Sequence, residues 1–139
     1  MKLPLKTTEK YTKLPKKIAE SVEIISNKIG AVEEVQDLSK KYNNIYIAEI
    51  LAKREHPNAA KLAIYMITID GKEKIQVLAG DKNLKIGDKV PYIKPGGIVP
   101  GTFYNEPFEI KSVKMRGEMS NGMMCSQREL DIGPCHDKV

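Results

Sequence analysis

Tryptophan is absent from these 139 residues, and cysteine, histidine and phenylalanine occur twice each. Two thiols are too few for the disulfide scaffold of a small secreted domain and fit a reducing compartment. The sequence offers no Ser-His-Asp set, no phosphate-binding glycine loop and no paired carboxylates, so the chain alone is expected to be non-catalytic and to hold no cofactor. Cys125, Cys135 and His136 lack the four-ligand spacing of common zinc sites, and no metal is expected. Long apolar runs are missing as well: stretches such as Leu62–Tyr65 fall far short of the roughly 20 residues that cross a bilayer. Lys and Glu interrupt every apolar segment that might follow the basic Met1–Lys17 stretch as a secretion signal. A cytoplasmic chain with no membrane partner is the expectation. Arginine is scarce, 3 residues against 20 lysines.

What remains is an ordinary globular composition. Apolar residues make up 41% and charged residues 29%, enough for a core of normal size, and the length suits one domain with a short extension. The net charge of +5 and pI near 9.1 lean toward a polyanionic partner. An AT-rich genome produces the same lysine bias without any partner.

The first 45 residues have a different rhythm from the rest. Ile18, Val22, Ile25 and Ile29 recur at helical spacing, predicting a helix from Pro15 to Ile29, with Pro15 in its first turn and Gly30 as a left-handed stop. Ala31–Val35 reads as a short strand and Leu38–Asn44 as a polar loop, with a boundary near Tyr42. Beyond it, Ile45–Lys53, Leu62–Ile69 and Ile75–Leu78 form a three-strand meander, with Asp70-Gly71 as a hairpin signal. Lys89–Ile93, Ile110–Met115 and Met123–Cys125 add further strands between glycine-rich corners, which suits a small closed or sandwich-like β architecture.

Four ordered segments of this second part carry a resemblance. They are His56-Pro57-Asn58-Ala59-Ala60-Lys61-Leu62, then Gln76-Val77-Leu78-Ala79-Gly80 running on through Asn83 to Pro91, then Pro95-Gly96-Gly97-Ile98-Val99-Pro100-Gly101, and Lys114-Met115-Arg116-Gly117 through Ser126. Together they resemble the tRNA-binding OB domain of the bacterial phenylalanyl-tRNA synthetase β subunit, also found on methionyl-tRNA synthetases and as free-standing proteins. Met1–Leu5, Tyr11, Leu14-Pro15 and Gly30–Val35 look like the opening of that β subunit. The chain departs from the family in lacking a tryptophan near its start and in carrying Asp81-Lys82 where an Ala-Pro pair is usual.

The resemblance implies an OB-fold five-stranded β-barrel over residues 42–133, an N-terminal helix-containing segment over 1–41 and a tail over 134–139. It implies a tRNA-binding module that supports ATP-dependent attachment of phenylalanine to tRNA. The α subunit would be its partner and would hold the catalytic residues, with ATP and magnesium used by the whole synthetase. The chain would then be an N-terminal piece of that longer subunit or a truncated relative. Two alternatives stay open: a free-standing tRNA-binding chaperone, often a homodimer, and a subunit-docking barrel with no RNA contact.

Candidate RNA-facing residues are Arg116, Lys114, Lys82, Lys85, Lys61, Asn83 and Ser120. Arg116 ranks first because a guanidinium grips a phosphate with two parallel bonds where lysine acts as a point charge. Asn83 and Ser120 are donors for a phosphate or ribose hydroxyl, and Asn83 serves equally as a cap of its own turn. Gly117 and Gly122 read first as barrel corners, His56 as a turn residue, and Cys125 as a small buried hydrophobe.

Overall fold

The computed structural model describes residues 2–136 and 138–139. They form two compact units, one ending at Asp37 and the other running Leu38–Val139. The first contains α1 (Leu5–Thr8) and α2 (Ile18–Lys28). Pro15 lies ahead of α2 instead of within its first turn, and its carbonyl accepts a hydrogen bond from the buried Ser21 hydroxyl at 3.3 Å. Gly30 is not left-handed. The N–H groups of Ile29 and Gly30 converge on the Ile25 carbonyl at 2.9 and 3.2 Å, so a widened last turn ends the helix without special backbone angles. Ala31–Val35 forms no strand, since it pairs with no described segment that could take up its backbone polar groups.

In the second unit the predicted loop after Asp37 begins with a helical turn, α3 (Leu38–Lys41). Its cause is tertiary. The Lys41 ammonium is buried against the Asp131 carboxylate at 2.5 Å, with the Tyr42 and Tyr104 rings 5.6 and 5.4 Å away, and the Tyr42 hydroxyl donates to the Leu130 carbonyl at 2.9 Å. The hydrogen bond that Lys41 donates to Asp131 outweighs burial and raises the Lys41 pKa.

The strands are β1 (Ile45–Glu55), β2 (Ala63–Thr68), β3 (Ile75–Ala79), β4 (Lys89–Ile93), β5 (Ser112–Met115), β6 (Glu118–Asn121) and β7 (Met123–Met124). β1 is long enough to serve two neighbours. Ile45–Glu49 pairs antiparallel with β4 and Glu49–Glu55 with β2, and a bulge between Ile50 and Ala52 turns the strand from one partner to the other. The sheet runs β3-β2-β1-β4-β7, and β5 and β6 form a separate hairpin.

That hairpin bridges the open side of the sheet. The Leu78 N–H on β3 donates to the Ser120 hydroxyl on β6 at 3.1 Å, and this hydroxyl donates to the Gly122 carbonyl at 3.1 Å. The Gln76 amide donates to the Met119 carbonyl at 2.9 Å and to the Glu118 carboxylate at 3.1 Å. The result is the expected fold class, a mainly-strand, nearly closed five-stranded barrel with a few short helices. β6 is an addition to the strands read from sequence.

The barrel core gathers Ala48, Ile50, Ala63, Tyr65, Ile67, Val77, Val90, Tyr92 and Met124. The two tyrosines keep their hydroxyls satisfied, donating to the carbonyls of Asp81 and Asn121 at 2.6 Å, and burial raises both phenol pKa values. A second cluster holds Ile93, Val99, Ile110, Cys125 and Leu130. Burial there pushes the Cys125 thiol up to about 12. Val139 packs against the barrel core, and its N–H donates to Asp81 at 3.2 Å. Among the described residues no helix is long and apolar enough to cross a membrane.

Two left-handed glycines differ in their surroundings. A Cβ on Gly122 would lie 2.4 Å from the Ile93 carbonyl oxygen and 2.4 Å from the Tyr92 ring, whereas one on Gly71 would meet nothing within 4 Å. Gly122→Ala is expected to cost about 2–5 kcal/mol, strain and overpacking together, and Gly71→Ala only about 1 kcal/mol. Urea unfolding of the two variants checks this, and equal midpoints would contradict it.

Candidate nucleic-acid interface

The β5–β6 hairpin turns on two residues, Arg116 and Gly117, between the paired Met115 and Glu118. Their φ values are 49° and 101°, the left-handed signature of a type I′ turn. Glycine takes this conformation freely and asparagine tolerates it; an arginine there is strained by about 1 kcal/mol or more.

The turn is held from outside. The Arg116 Nη1 donates to the Asn58 carbonyl at 3.2 Å, and the Asn58 side-chain amide donates to the Arg116 carbonyl at 3.4 Å. His56, buried in the same β1–β2 turn, accepts the Asn58 N–H on Nδ1 at 3.0 Å and meets the Met115 carbonyl with Nε2 at 3.1 Å. These partners place the ring proton on Nε2. His56 is therefore a turn residue, as its position before Pro57 implies, and also a tie between two turns far apart in sequence.

The β1–β2 turn has a second neighbour. Ala60 and Lys61 line a shallow, open depression of about 520 Å³ together with Gly80, Asp81, Lys82 and Asn83 from the loop after β3. Three of the sequence candidates, Lys61, Lys82 and Asn83, thus come together. The loop is fixed by Asp81, whose carboxylate accepts the Asn83 N–H at 2.8 Å, and by Lys53, whose ammonium donates to the carbonyl of Lys82 at 2.5 Å. Asp81 thus caps the turn that carries Asn83, and Asn83 itself is exposed. Two lysines and one aspartate line the depression, so its formal charge is positive.

The other candidates fall elsewhere. Lys85 is exposed beyond buried Leu84 and does not line the depression. Lys114 is exposed on β5, two residues before Arg116. Ser120 is the correction among them: it is 3% exposed and its hydroxyl is used at both ends in closing the barrel, so it has nothing to offer a ligand. Gly122 is a packing corner, and Gly117 has only Asn58 near its missing Cβ.

Sequence reasoning missed Lys53 and Arg54. The adjacent basic pair on a strand was the available signal. Arg54 bonds the Glu118 carboxylate at 3.0 Å, and this bond, with that of Gln76, lowers the Glu118 pKa. Among the described residues no three His, Cys, Asp or Glu side chains gather as a metal site.

The strand order, the bridging hairpin and the basic turns on one side define an OB-like β-barrel. The family described as "Putative tRNA binding domain" matches residues 45–137. The chain belongs to that family. It is 39% identical over 102 residues to the phenylalanine--tRNA ligase beta subunit of Syntrophus aciditrophicus (strain SB), covering 73% of this chain and 12% of that protein. The same subunit of Idiomarina loihiensis is 31% identical over 122 residues, 88% of this chain and 14% of the relative. The chain therefore spans about an eighth of the length of these relatives. Among solved structures, the C-terminal domain of Plasmodium vivax p43 superposes with a TM-score of 0.47 at 18% identity, covering 65% of this chain and 48% of that one.

Two expectations follow. Because the Glu118 pKa is lowered in the folded state, its stabilisation is complete above the unfolded value near 4.5 and lost as pH falls through the folded one. The gap in melting temperature between the parent and Glu118→Gln should be constant above that pH and shrink below it; a gap that widens on acidification would refute the assignment. Arg116→Asn should unfold at a urea midpoint equal to or above the parent's, since relief of left-handed strain offsets one exposed hydrogen bond.

Proposed function

We propose that this chain is the tRNA-binding module of a phenylalanyl-tRNA synthetase β subunit and supports ATP-dependent attachment of phenylalanine to tRNA. The synthetase α subunit is the partner this reading assigns, and it would hold the catalytic residues, ATP and magnesium. The location is the cytoplasm. Identity to such subunits over most of the chain supports the assignment.

One observation carries the RNA contact. A single turn, His56–Leu62, joins the hairpin tip bearing Arg116 to the depression formed with Lys82 and Asn83. Cations presented from a shallow β surface follow a ribose-phosphate backbone, and exposed amides reach 2′-hydroxyls without selecting a base. Base-reading geometry is not required. The module supplies general affinity for a folded RNA, and identity is selected elsewhere in the enzyme. Lys61, Lys82 and Lys114 contribute point charges, Arg116 a bidentate grip.

Filter retention of total tRNA by the protein is the test. Neutralising four phosphates at about 0.7 counterion each weakens binding about 50-fold between roughly 50 and 200 mM salt. Arg116→Ala and Arg116→Asn should each weaken it about tenfold, as expected for loss of a charge-assisted bidentate contact. Lys114→Ala should cost less and reduce the salt slope. Retention indifferent to salt and to all three substitutions would overturn the reading in favour of a barrel that only docks subunits.

A further inference from the structure

We infer that His56 and Asn58 are positioning residues that hold the Arg116 guanidinium ready for a phosphate, an inference that rests on the RNA-binding reading of Arg116. An arginine at an exposed hairpin tip ordinarily samples many rotamers, and ordering it on binding costs side-chain freedom. Here part of that ordering is done beforehand. The Asn58 carbonyl holds Nη1, and the Asn58 amide holds the Arg116 carbonyl, so backbone and side chain of the arginine are both tied to one residue. The Asn58 peptide is oriented in turn by the His56 ring, which grips the Asn58 N–H with one nitrogen and the Met115 carbonyl with the other. His56 is buried, and its packed ring serves as a fixed post.

The geometry of the guanidinium gives the arrangement its point. Nη1 lies on the inner side of the fork, toward the side-chain stem. Its bond to Asn58 leaves the Nε and Nη2 hydrogens free along the outer edge, the edge that meets two oxygens of a phosphate in parallel. Arg116 forms no ion pair among the described residues, so this edge is not already spent on a carboxylate. Neither His56 nor Asn58 needs to touch RNA to matter.

A double-mutant cycle on the whole chain separates positioning from contact. Total tRNA retention is measured at low salt for the parent, Asn58→Ala, Arg116→Ala and the double variant, with His56→Gln as a second probe of the same path. Asn58 is exposed, so its substitution spares the fold. Asn58→Ala should weaken binding about fivefold in the parent and by less than about 1.5-fold once Arg116 is gone. With only three arginines, the Nε–H signals of Arg54, Arg116 and Arg128 can be followed individually by ¹⁵N relaxation without RNA. Arg116 should be ordered in the parent and mobile in Asn58→Ala and His56→Gln, while Arg128 stays unchanged. Additive losses, or an Arg116 signal indifferent to Asn58→Ala, would overturn the inference while leaving salt-dependent tRNA binding in place. A parent that retains no tRNA at all would sink the functional reading first and the inference with it.

Discussion

A single buried hydroxyl, that of Ser120, carries the closure of the barrel. The sheet ends at β3 on one side and at the two-residue β7 on the other, and no continuous ladder joins β3 to the hairpin that faces it. Ser120 accepts the Leu78 N–H and donates its own O–H to the Gly122 carbonyl, so two backbone groups that would otherwise be buried unpaired are satisfied at once. An unmade bond at such a place costs about 1–3 kcal/mol, more than a typical hydrogen bond contributes net. Gln76 repeats the device one strand position nearer the hairpin tip. Because the hairpin is fixed by these bonds, its tip meets the β1–β2 turn, and everything said of Arg116 follows from that meeting.

The tip shows a conflict between local preference and use. Asparagine or glycine suits the first residue of a type I′ turn, yet an arginine stands there with φ at 49°. Strain of this kind persists where surrounding structure over-determines it, and here His56 and Asn58 supply that structure. The two bonds between Arg116 and Asn58 are exposed and individually weak, but they converge on one residue and are backed by the part-buried bonds of His56. On the proposed function, stability and binding would pull in opposite directions at this position.

Much of the barrel was legible in the sequence because strand signals are local. β4 matches its predicted bounds, and β1, β2 and β3 differ by a residue or two at their ends. β6 escaped because the hairpin turns on Arg116-Gly117, while the Asn-Gly pair that would announce a turn stands at residues 121–122, at the strand's far end. α3 escaped because its cause, the pairing of Lys41 with Asp131, lies 90 residues away along the chain. Gly30 was misread because a glycine after a helix suggests a left-handed cap, whereas the bonds to Ile25 end α2 by another route. Of the candidate residues, the fold brings Lys61, Lys82 and Asn83 together around one depression, a proximity that residue type alone does not give. The burial of Ser120 depended on which face of β6 it occupied, which cannot be read where the strand itself is not recognised.

The same Lys41–Asp131 pair, with the Tyr42 hydroxyl on Leu130, ties the segment entering the barrel unit to the segment leaving its last strand. Beyond that charged knot the chain turns back, with the Cys135 carbonyl accepting the Arg128 N–H and Val139 packed on the core, so the neck of the unit is clasped twice, once by charge and once by the returning tail.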